Sequence, residues 1–471
     1  MINILLPIEG LVRELDYKLL MAAKCLSKNT RIFIGQHDYL YEVSKNLRGG
    51  VYIGKNLMSR KSDGVFITYK HQELKQRGFK IIHLDEEGGV HPGDTDNLKR
   101  ILLEERLDLK AFDSDDVLCT WGRLQKTIYS EFAKDNNLKV NEKNIIVTGS
   151  PRFDILNLEN RYFYNKEVKE INSSHGEFIL INTNFSLFNN SNGNADSFSL
   201  RWNYDTSDHK KRKDMVDWWS YQGHTFVDFI KLITAISSEY PDKKIILRPQ
   251  PSEDIDIYNL IFKDVKNISV IRSGSVIPWI LASKMMIHDG CTTGVEAFFS
   301  DTKVLNFHPH DAFSNNYLPN SLSLSLYSID EVLEKLSTFY SHEESLTPES
   351  MEIEDRAYSL LENFKESHDS FEALLNLIKI AESKIEESTF NITGFTLFRF
   401  KFLVESFLRS LIRPLFRDRQ NKFIGRRNIF PGLDKEYIKY KLNLIQEVNG
   451  NKIKYKFYNE NLILLETDDS E

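Results

Sequence analysis

Residues 286–299 read MIHDGCTTGVEAFF. A short apolar run ends at Asp289–Gly290. A cysteine, two threonines and a glycine follow, and then Val295-Glu296-Ala297-Phe298-Phe299 opens the pattern of a buried helix. Strand, small polar corner, helix is the handover of a βαβ unit, and it selects an α/β fold. A helix amino terminus presents unpaired N–H groups and the positive end of a dipole, so this corner suits an anion. Cys291, Thr292, Thr293 and Gly294 occupy it. The threonines add hydroxyl donors, and the glycine lets a ligand approach the backbone. An ordinary helix cap, with threonine at the N-cap, accounts for the same residues.

The alternation extends in both directions. EFILINTNFS (177–186), KKIILRPQP (243–251), NISVIRS (267–273), KMMIHDG (284–290) and TKVLNFHP (302–309) read as short strands. TFVDFIKLITAISSEYP (225–241) has helical periodicity and stops at Pro241, and the Asn/Ser/Gly-rich stretch 189–198 reads as a surface loop. An earlier series precedes these: INILLPI (2–8), TRIFIG (30–35), GVYIGK (50–55), FKIIHLDEEGG (79–89), DDVLCTWG (115–122) and NIIVTGSPRFD (144–154), with helices over 14–27 and near 68–77. The pattern therefore gives an α/β chain of two Rossmann-like, doubly wound domains, the boundary falling at 155–176. The expected division is 1–160, 161–342, an acidic helical cap over 343–390, and a basic aromatic helix and tail over 391–471.

Bulk composition excludes several classes. The chain has 471 residues, a net charge of −7 and 41% hydrophobic residues, enough for two or three domains and too little positive charge to coat nucleic acid. Its three cysteines, Cys25, Cys119 and Cys291, are far apart and form no Cys/His ligand spacing, so zinc is not expected and a reducing compartment is. MINILLPIEG lacks a basic n-region and reads as a first strand. No run of about 18 apolar residues suggests a membrane span.

Two further corners carry chemistry. At Arg248-Pro249-Gln250-Pro251-Ser252-Glu253, a strand ends in an arginine whose planar fork matches phosphate or carboxylate, on a turn stiffened by two prolines. Trp279, downstream, suits packing or base stacking. In IIHLDEEGGVHPGD (81–94) a strand ends in Asp85, Glu86 and Glu87 before Gly88–Gly89. Like charges crowded there are expected to raise at least one pKa, giving an acid beside a base, or a nucleophile. A solvated acidic turn is the plain alternative. Glu14 and Asp16 fall in the first turn of the first helix, where its dipole favours them; Glu9, Arg13 and Glu14 also suit an acceptor side. Arg152, in TGSPRFD (148–154), is placed to meet a donor phosphate or to pair with Asp154.

The order of IILRPQPSE, NISVIRSGSVIPWILAS and IHDGCTTGVEA resembles the nucleotide-binding half of GT-B glycosyltransferases, in particular bacterial surface-carbohydrate biosynthesis proteins related to retaining Kdo transferases of capsule and lipopolysaccharide assembly, and more distantly CDP-glycerol-type polymerases. LLPIEGLVRELDYKLLMA, IIHLDEEGG, VTGSPRFD and ILINTNFS are similar to motifs of the same group, and the likeness spans roughly residues 2–310. It implies a GT-B fold with a cleft between the domains. It implies a nucleotide-sugar donor, a CMP-activated ulosonic acid such as Kdo or a nonulosonate, and a glycan or lipid-linked glycan acceptor. Glu86 and Glu87, with Asp85, would be catalytic. Arg248, Gln250, Ser252, Cys291, Thr292, Thr293, Gly294 and Glu296 would hold the nucleotide, and Glu9, Arg13, Glu14, Arg152 and Asn184 would touch acceptor or donor. No metal, no cofactor and no nucleic-acid partner are implied, and the setting is cytoplasmic, with the inner-membrane surface as a partner. A CDP-glycerol-type phosphotransferase, a nucleotide-sugar epimerase and a non-catalytic scaffold are the alternatives. One departure is Gln250–Pro251, where the group has His-Pro; glutamine donates a hydrogen bond but carries no charge.

Beyond an acidic helical stretch, ITGFTLFRFKFLVESFLRSLIRPLFRDRQNKFIGRR (392–427) holds nine basic residues against Glu405 and Asp418. It reads as an interfacial helix or as a helix packing its Phe/Leu face on the core, with Pro414 ending or kinking it. Residues 428–471 read as a small helical and hairpin appendage.

Overall fold

The computed structural model describes residues 1–468 apart from 56, 61–64, 88–90, 92–93, 200–203, 205–206, 311–316, 343–354, 366–367, 413–428 and 451. The chain forms two units: Met1–Gly89 with Lys99–Ile155 and Tyr358–Glu471, and Val90–Leu98 with Leu156–Ala357.

The first unit begins with β1 (Ile2–Ile8), α1 (Leu11–Cys25), β2 (Thr30–Gln36), β3 (Gly50–Ile53), β4 (Phe79–Leu84), β5 (Val117–Thr120) and β6 (Ile145–Val147). These strands run parallel in the order β2-β1-β3-β4-β5-β6. β1 is a continuous apolar run because a parallel strand is covered on both faces. The chain lays β2 on one side of β1 and β3 on the other, so the order reverses between β1 and β3. Ligands of open α/β sheets bind at such a reversal, beyond the carboxyl ends of the strands.

The second unit holds β7 (Phe178–Asn182), α2 (His209–Glu239), β8 (Lys244–Arg248), β9 (Ile268–Val270), α3 (Ile277–Ala282), β10 (Met285–His288), α4 (Thr293–Phe299), β11 (Val304–Phe307) and β12 (Leu324–Leu326). Its parallel order is β9-β8-β7-β10-β11-β12, reversing between β7 and β10. Alternate residues serve opposite faces. Ile179, Ile181, Ile245, Leu247 and Ile287 meet Phe229, Leu232 and Ile233 of α2, while Phe178, Leu180, Ile246 and Met286 meet Trp279 and Ile280 of α3. α2 starts well before the segment expected from periodicity, at Asp208, whose carboxylate accepts from the amides of Lys210 and Lys211.

From Tyr358 on, the chain belongs to the first unit. α5 (Ser370–Glu382), α6 (Ile392–Ile412) and α7 (Lys435–Asn449) lead to a hairpin, β13 (Ile453–Asn459) and β14 (Leu462–Thr467). β14 pairs antiparallel with β2, so the expected appendage instead extends the main sheet and covers its β2 edge.

The returning chain is clasped by TGSPRFD. Asn363 accepts from the Ser150 amide and donates to the Ser150 carbonyl, and Asp154 accepts from the Ser370 amide and from Asn363. Gly149, at φ +63°, is the floor of this clasp: a Cβ there would meet Asn363 Oδ1 at 2.5 Å and Ser370 Oγ at 2.6 Å. Gly450, at φ +71° and ψ 2° in the left-handed region, has nothing within 4 Å of such an atom. Gly450→Ala should therefore cost only the left-handed backbone term, about 1–2 kcal/mol. Gly149→Ala should cost roughly 1–3 kcal/mol more. Urea unfolding of the two variants checks this, and equal losses would remove the clasp from the folding of the return.

Candidate functional site

The carboxyl ends of the first unit's strands carry an ionic network. α1 starts directly after β1, and its Lys18 is fully buried. The ammonium lies 2.8 Å from Glu14 Oε2 and 3.0 Å from Glu86 Oε1, and donates to the Pro7 carbonyl. Glu14 also accepts from the amides of Glu9 and Gly10, closing the β1–α1 turn. The Tyr17 hydroxyl donates to Glu86 Oε1. Arg106 bridges Asp85 and Glu87, at 2.8 Å from Glu87 Oε2, and Arg13 reaches Glu87 Oε1 at 2.9 Å. Lys55, just past β3, pairs with Glu9 at 2.8 Å, across the β1/β3 reversal. Trp121 Nε1 donates to the Asp85 carbonyl at 2.8 Å.

The expected rise of a carboxyl pKa does not occur at Asp85 or Glu87, although Asp85 does repel the Glu87 charge. Burial pushes the Asp85 and Glu87 pKa values up, but the cations outweigh it. Arg106, Lys55 and Arg13 hold Glu87 at about 2, and Arg106 and Lys55 hold Asp85 well below the usual carboxylate range. Burial likewise works against ionised Glu14, yet Lys18 and Lys55 bring it to about 2. Buried like charges are tolerated here because cations sit between them, Lys18 shared by Glu14 and Glu86 and Arg106 by Asp85 and Glu87. Their chemistry follows from position. Asp85 and Glu86 are buried, and Glu86 is committed to Tyr17 and Lys18. The Glu87 side chain keeps 35% exposure. A carboxylate held ionised far below neutrality can act as base, nucleophile or fixed negative charge, and not as a proton donor at neutral pH.

Arg152 is buried in the same unit, and its charge acts on the Tyr17 hydroxyl. Among the described residues, the group with metal-ligand spacing is Asp113, Asp115 and Asp116, at the opposite, amino end of β5, where Lys75 pairs with all three.

In the second unit, the β7/β10 reversal holds the corner read from sequence. Asn184, just past β7, donates to the Gly290 carbonyl at 3.4 Å. Most of the corner's amides are committed internally: Gly290 to Asn320 Oδ1, Cys291 to His288 Nδ1, Gly294 to the Cys291 carbonyl and Val295 to the Thr292 carbonyl. Among the described residues, the Thr293 hydroxyl is buried without a hydrogen-bond partner. Gly294 serves a different purpose from the one expected. A Cβ there would meet His288 Nε2 at 2.6 Å, so the glycine admits the His288 ring rather than a ligand. Burial holds that imidazole at about 3, hence neutral, and its Nε2 lies 2.9 Å from Ser323 Oγ. Glu296 is buried behind the corner.

Arg248 ends β8 in register with Asn182 of β7. Its expected fork is partly spent. The guanidinium donates to the carbonyls of Ile271, Ser273 and Gly274 and lies 5.0 Å over the Trp279 ring, which is packed in the core rather than free to stack. Burial lowers its pKa to about 10. Among the described residues no carboxylate pairs with it. The following turn is built on buried Glu253, which accepts from the Thr183 and Tyr258 hydroxyls and from the Gln250 amide. Gln250 turns its Oε1 onto the Ser252 amide at 2.6 Å.

Lys18, Lys55, Arg106, Glu253 and His288 were not picked out by sequence. Lys18 stands four residues after Glu14, a spacing that marks an ion pair on a helix. Arg106 left no such signal.

Both units are thus doubly wound α/β bodies with polar groups gathered at the carboxyl ends of parallel strands. No protein-family model matches the chain, and no curated protein matches it. Among solved structures, UDP-GlcNAc 2-epimerase of Methanocaldococcus jannaschii in complex with UDP-GlcNAc and UDP is 11% identical, at TM-score 0.45, over 80% of this chain and 99% of that one. S. aureus MnaA with UDP is 12% identical, at TM-score 0.47, over 82% and 98%. The wall teichoic acid polymerase TagF is 14% identical, at TM-score 0.42, over 82% and 90%. These likenesses are distant. Among the described residues no helix is long and apolar enough to cross a membrane.

Lys18→Met leaves Glu14 and Glu86 buried without their cation and should cost about 3–5 kcal/mol in urea unfolding. A loss below about 1 kcal/mol would mean that both carboxylates find other partners. Glu14 has a folded pKa of about 2 against an ordinary 4.5. Its contribution to stability is complete above the ordinary value and is lost as pH falls towards 2. Stability should therefore fall on the acid side with a slope of up to about 1.4 kcal/mol per pH unit from this group. Glu14→Gln should flatten that slope, as read from unfolding free energies between neutral and acid pH.

Proposed function

We propose that the protein is a GT-B-type glycosyltransferase of surface polysaccharide biosynthesis, moving a sugar from a nucleotide donor to a glycan acceptor. The observation that carries this reading is Arg248, a buried guanidinium with no carboxylate partner among the described residues, in the strand next to the β7/β10 reversal. β8, β7 and β10 are consecutive, so the backbones of Arg248 and the β10 corner stand about 10 Å apart. A cation held by carbonyls and stacked on an indole lacks an anion, and the unsatisfied Thr293 hydroxyl is a donor in the neighbouring corner. A nucleotide's phosphate supplies both needs. Gln250 carries no charge, so Arg248 supplies the positive charge. The donor is a CMP-activated ulosonic acid, whose single phosphate suits so small a set of donors, and transfer proceeds without a metal, the leaving phosphate being stabilised by side chains and amides.

In this reading Glu87 is the reacting or charge-stabilising carboxylate, positioned by Arg13 and Arg106. Asp85 and Glu86 hold the corner from within. The acceptor is a glycan or lipid-linked glycan, handled on the cytoplasmic face of the inner membrane.

Calorimetric titration with CMP, CDP and UDP should show CMP binding, weakened at least about tenfold by Arg248→Met, the loss of one charge-assisted contact. Glu87→Gln should abolish release of CMP from the donor in the presence of acceptor while nucleotide affinity stays within about twofold. Unchanged turnover in Glu87→Gln would remove the carboxylate from the mechanism. Acceptor-free interconversion of a nucleotide sugar would make the protein an epimerase instead.

A further inference from the structure

α6 carries two opposed apolar faces. Phe395, Phe398 and Phe402 look inward. Phe398 and Phe402 lie 5.4 and 4.7 Å from the Tyr39 ring, and Phe395 lies 4.8 Å from that of Tyr458. At about 100° per residue, Leu397, Phe400, Leu403, Val404, Phe407 and Leu408 fall on the other side, within an arc of roughly 140°. Leu397 is 66% exposed, Phe400 70% and Phe407 64%. A helix anchored by one apolar face gains nothing in folding from a second, and contiguous exposed apolar patches mark contact surfaces.

The charge beside this stripe indicates what covers it. Arg399 and Lys401 flank it. The Arg399 guanidinium donates to the Tyr458 carbonyl, and the exposed Lys401 side chain lies 3.8 Å from Glu405 Oε1. Residues 392–427 hold nine basic against two acidic residues, a net of +7; with the whole chain at −7, the remainder carries −14. Positive charge is therefore concentrated on and just after the helix with the exposed apolar stripe. An anionic lipid surface matches both the stripe and the charge. Arg399, Lys401, Glu405 and Arg409 interrupt the 21-residue helix, so it lies along a bilayer rather than through it.

We propose that the outward face of α6 docks flat on an anionic lipid bilayer, with Leu397, Phe400, Leu403, Val404, Phe407 and Leu408 entering the headgroup–acyl boundary. This stands on α6 alone and is independent of the transferase reading. The test is flotation of the full-length protein with vesicles of phosphatidylcholine containing phosphatidylglycerol, and with phosphatidylcholine alone, at low and high salt, beside analytical ultracentrifugation. Binding is expected to the anionic vesicles, at least about tenfold weaker to the zwitterionic ones and at high salt. The Phe400→Ser/Phe407→Ser double variant should bind anionic vesicles at least about tenfold more weakly with an unchanged thermal midpoint. Absence of wild-type binding to anionic vesicles overturns the proposal whatever the variant does. So do equal binding by a folded double variant and a concentration-dependent dimer that the double variant abolishes.

Discussion

The ammonium of Lys18, buried between Glu14 and Glu86, is the contact on which the carboxylate-bearing edge of the first unit depends. It joins the first helix to the end of the fourth strand. One positive charge in the interior requires its two carboxylates, and each of them is then bound to that place. Glu14 in turn closes the β1–α1 turn by accepting from the amides of Glu9 and Gly10. With Glu86 drawn inward, its neighbour Glu87 is left at the surface, where Arg13 and Arg106 fix it. The division of labour between two adjacent glutamates is thus set by which of them the buried lysine holds.

The second unit solves the complementary problem. Arg248 is held by carbonyls rather than carboxylates, and buried Glu253 is held by hydroxyls and an amide. The glutamate's ionised form is disfavoured by burial, and its pKa is raised. Arg248 therefore keeps a charge that neutral dipoles orient without cancelling. A site that must receive and release an anion benefits from that arrangement, since a carboxylate partner would compete with the ligand.

Much of this was legible in the chain. Continuous apolar runs such as INILLPI and KIILR gave the parallel strands, because strands covered on both faces lose the polar alternation of half-exposed ones. The corners at 85–87, 248–253 and 289–294 were also legible, since a change from apolar to small polar or charged residues marks a strand's end. Their internal wiring was not. Arg106 and Lys55 reach the carboxylates through tertiary folding alone, so the sequence suggested repelling acids where the structure holds paired ones. Gly294 looked like room for a ligand and proved to be room for His288, five residues before the helix proper begins to turn away.

What the sequence determined by itself was the alternation of strands and helices, the doubling of that pattern and the places where polar residues meet strand ends, because each follows from local periodicity. Only the tertiary structure decided that the last hundred residues return to the first unit, that TGSPRFD clasps them, and that the final hairpin completes the first sheet at the edge of β2. It alone showed that α6 is apolar on two opposite sides, one spent on the core and one left outside. Those outcomes rest on pairings between residues hundreds of positions apart, whose energies come from burial and matched hydrogen bonds in three dimensions and leave no periodic trace along the chain.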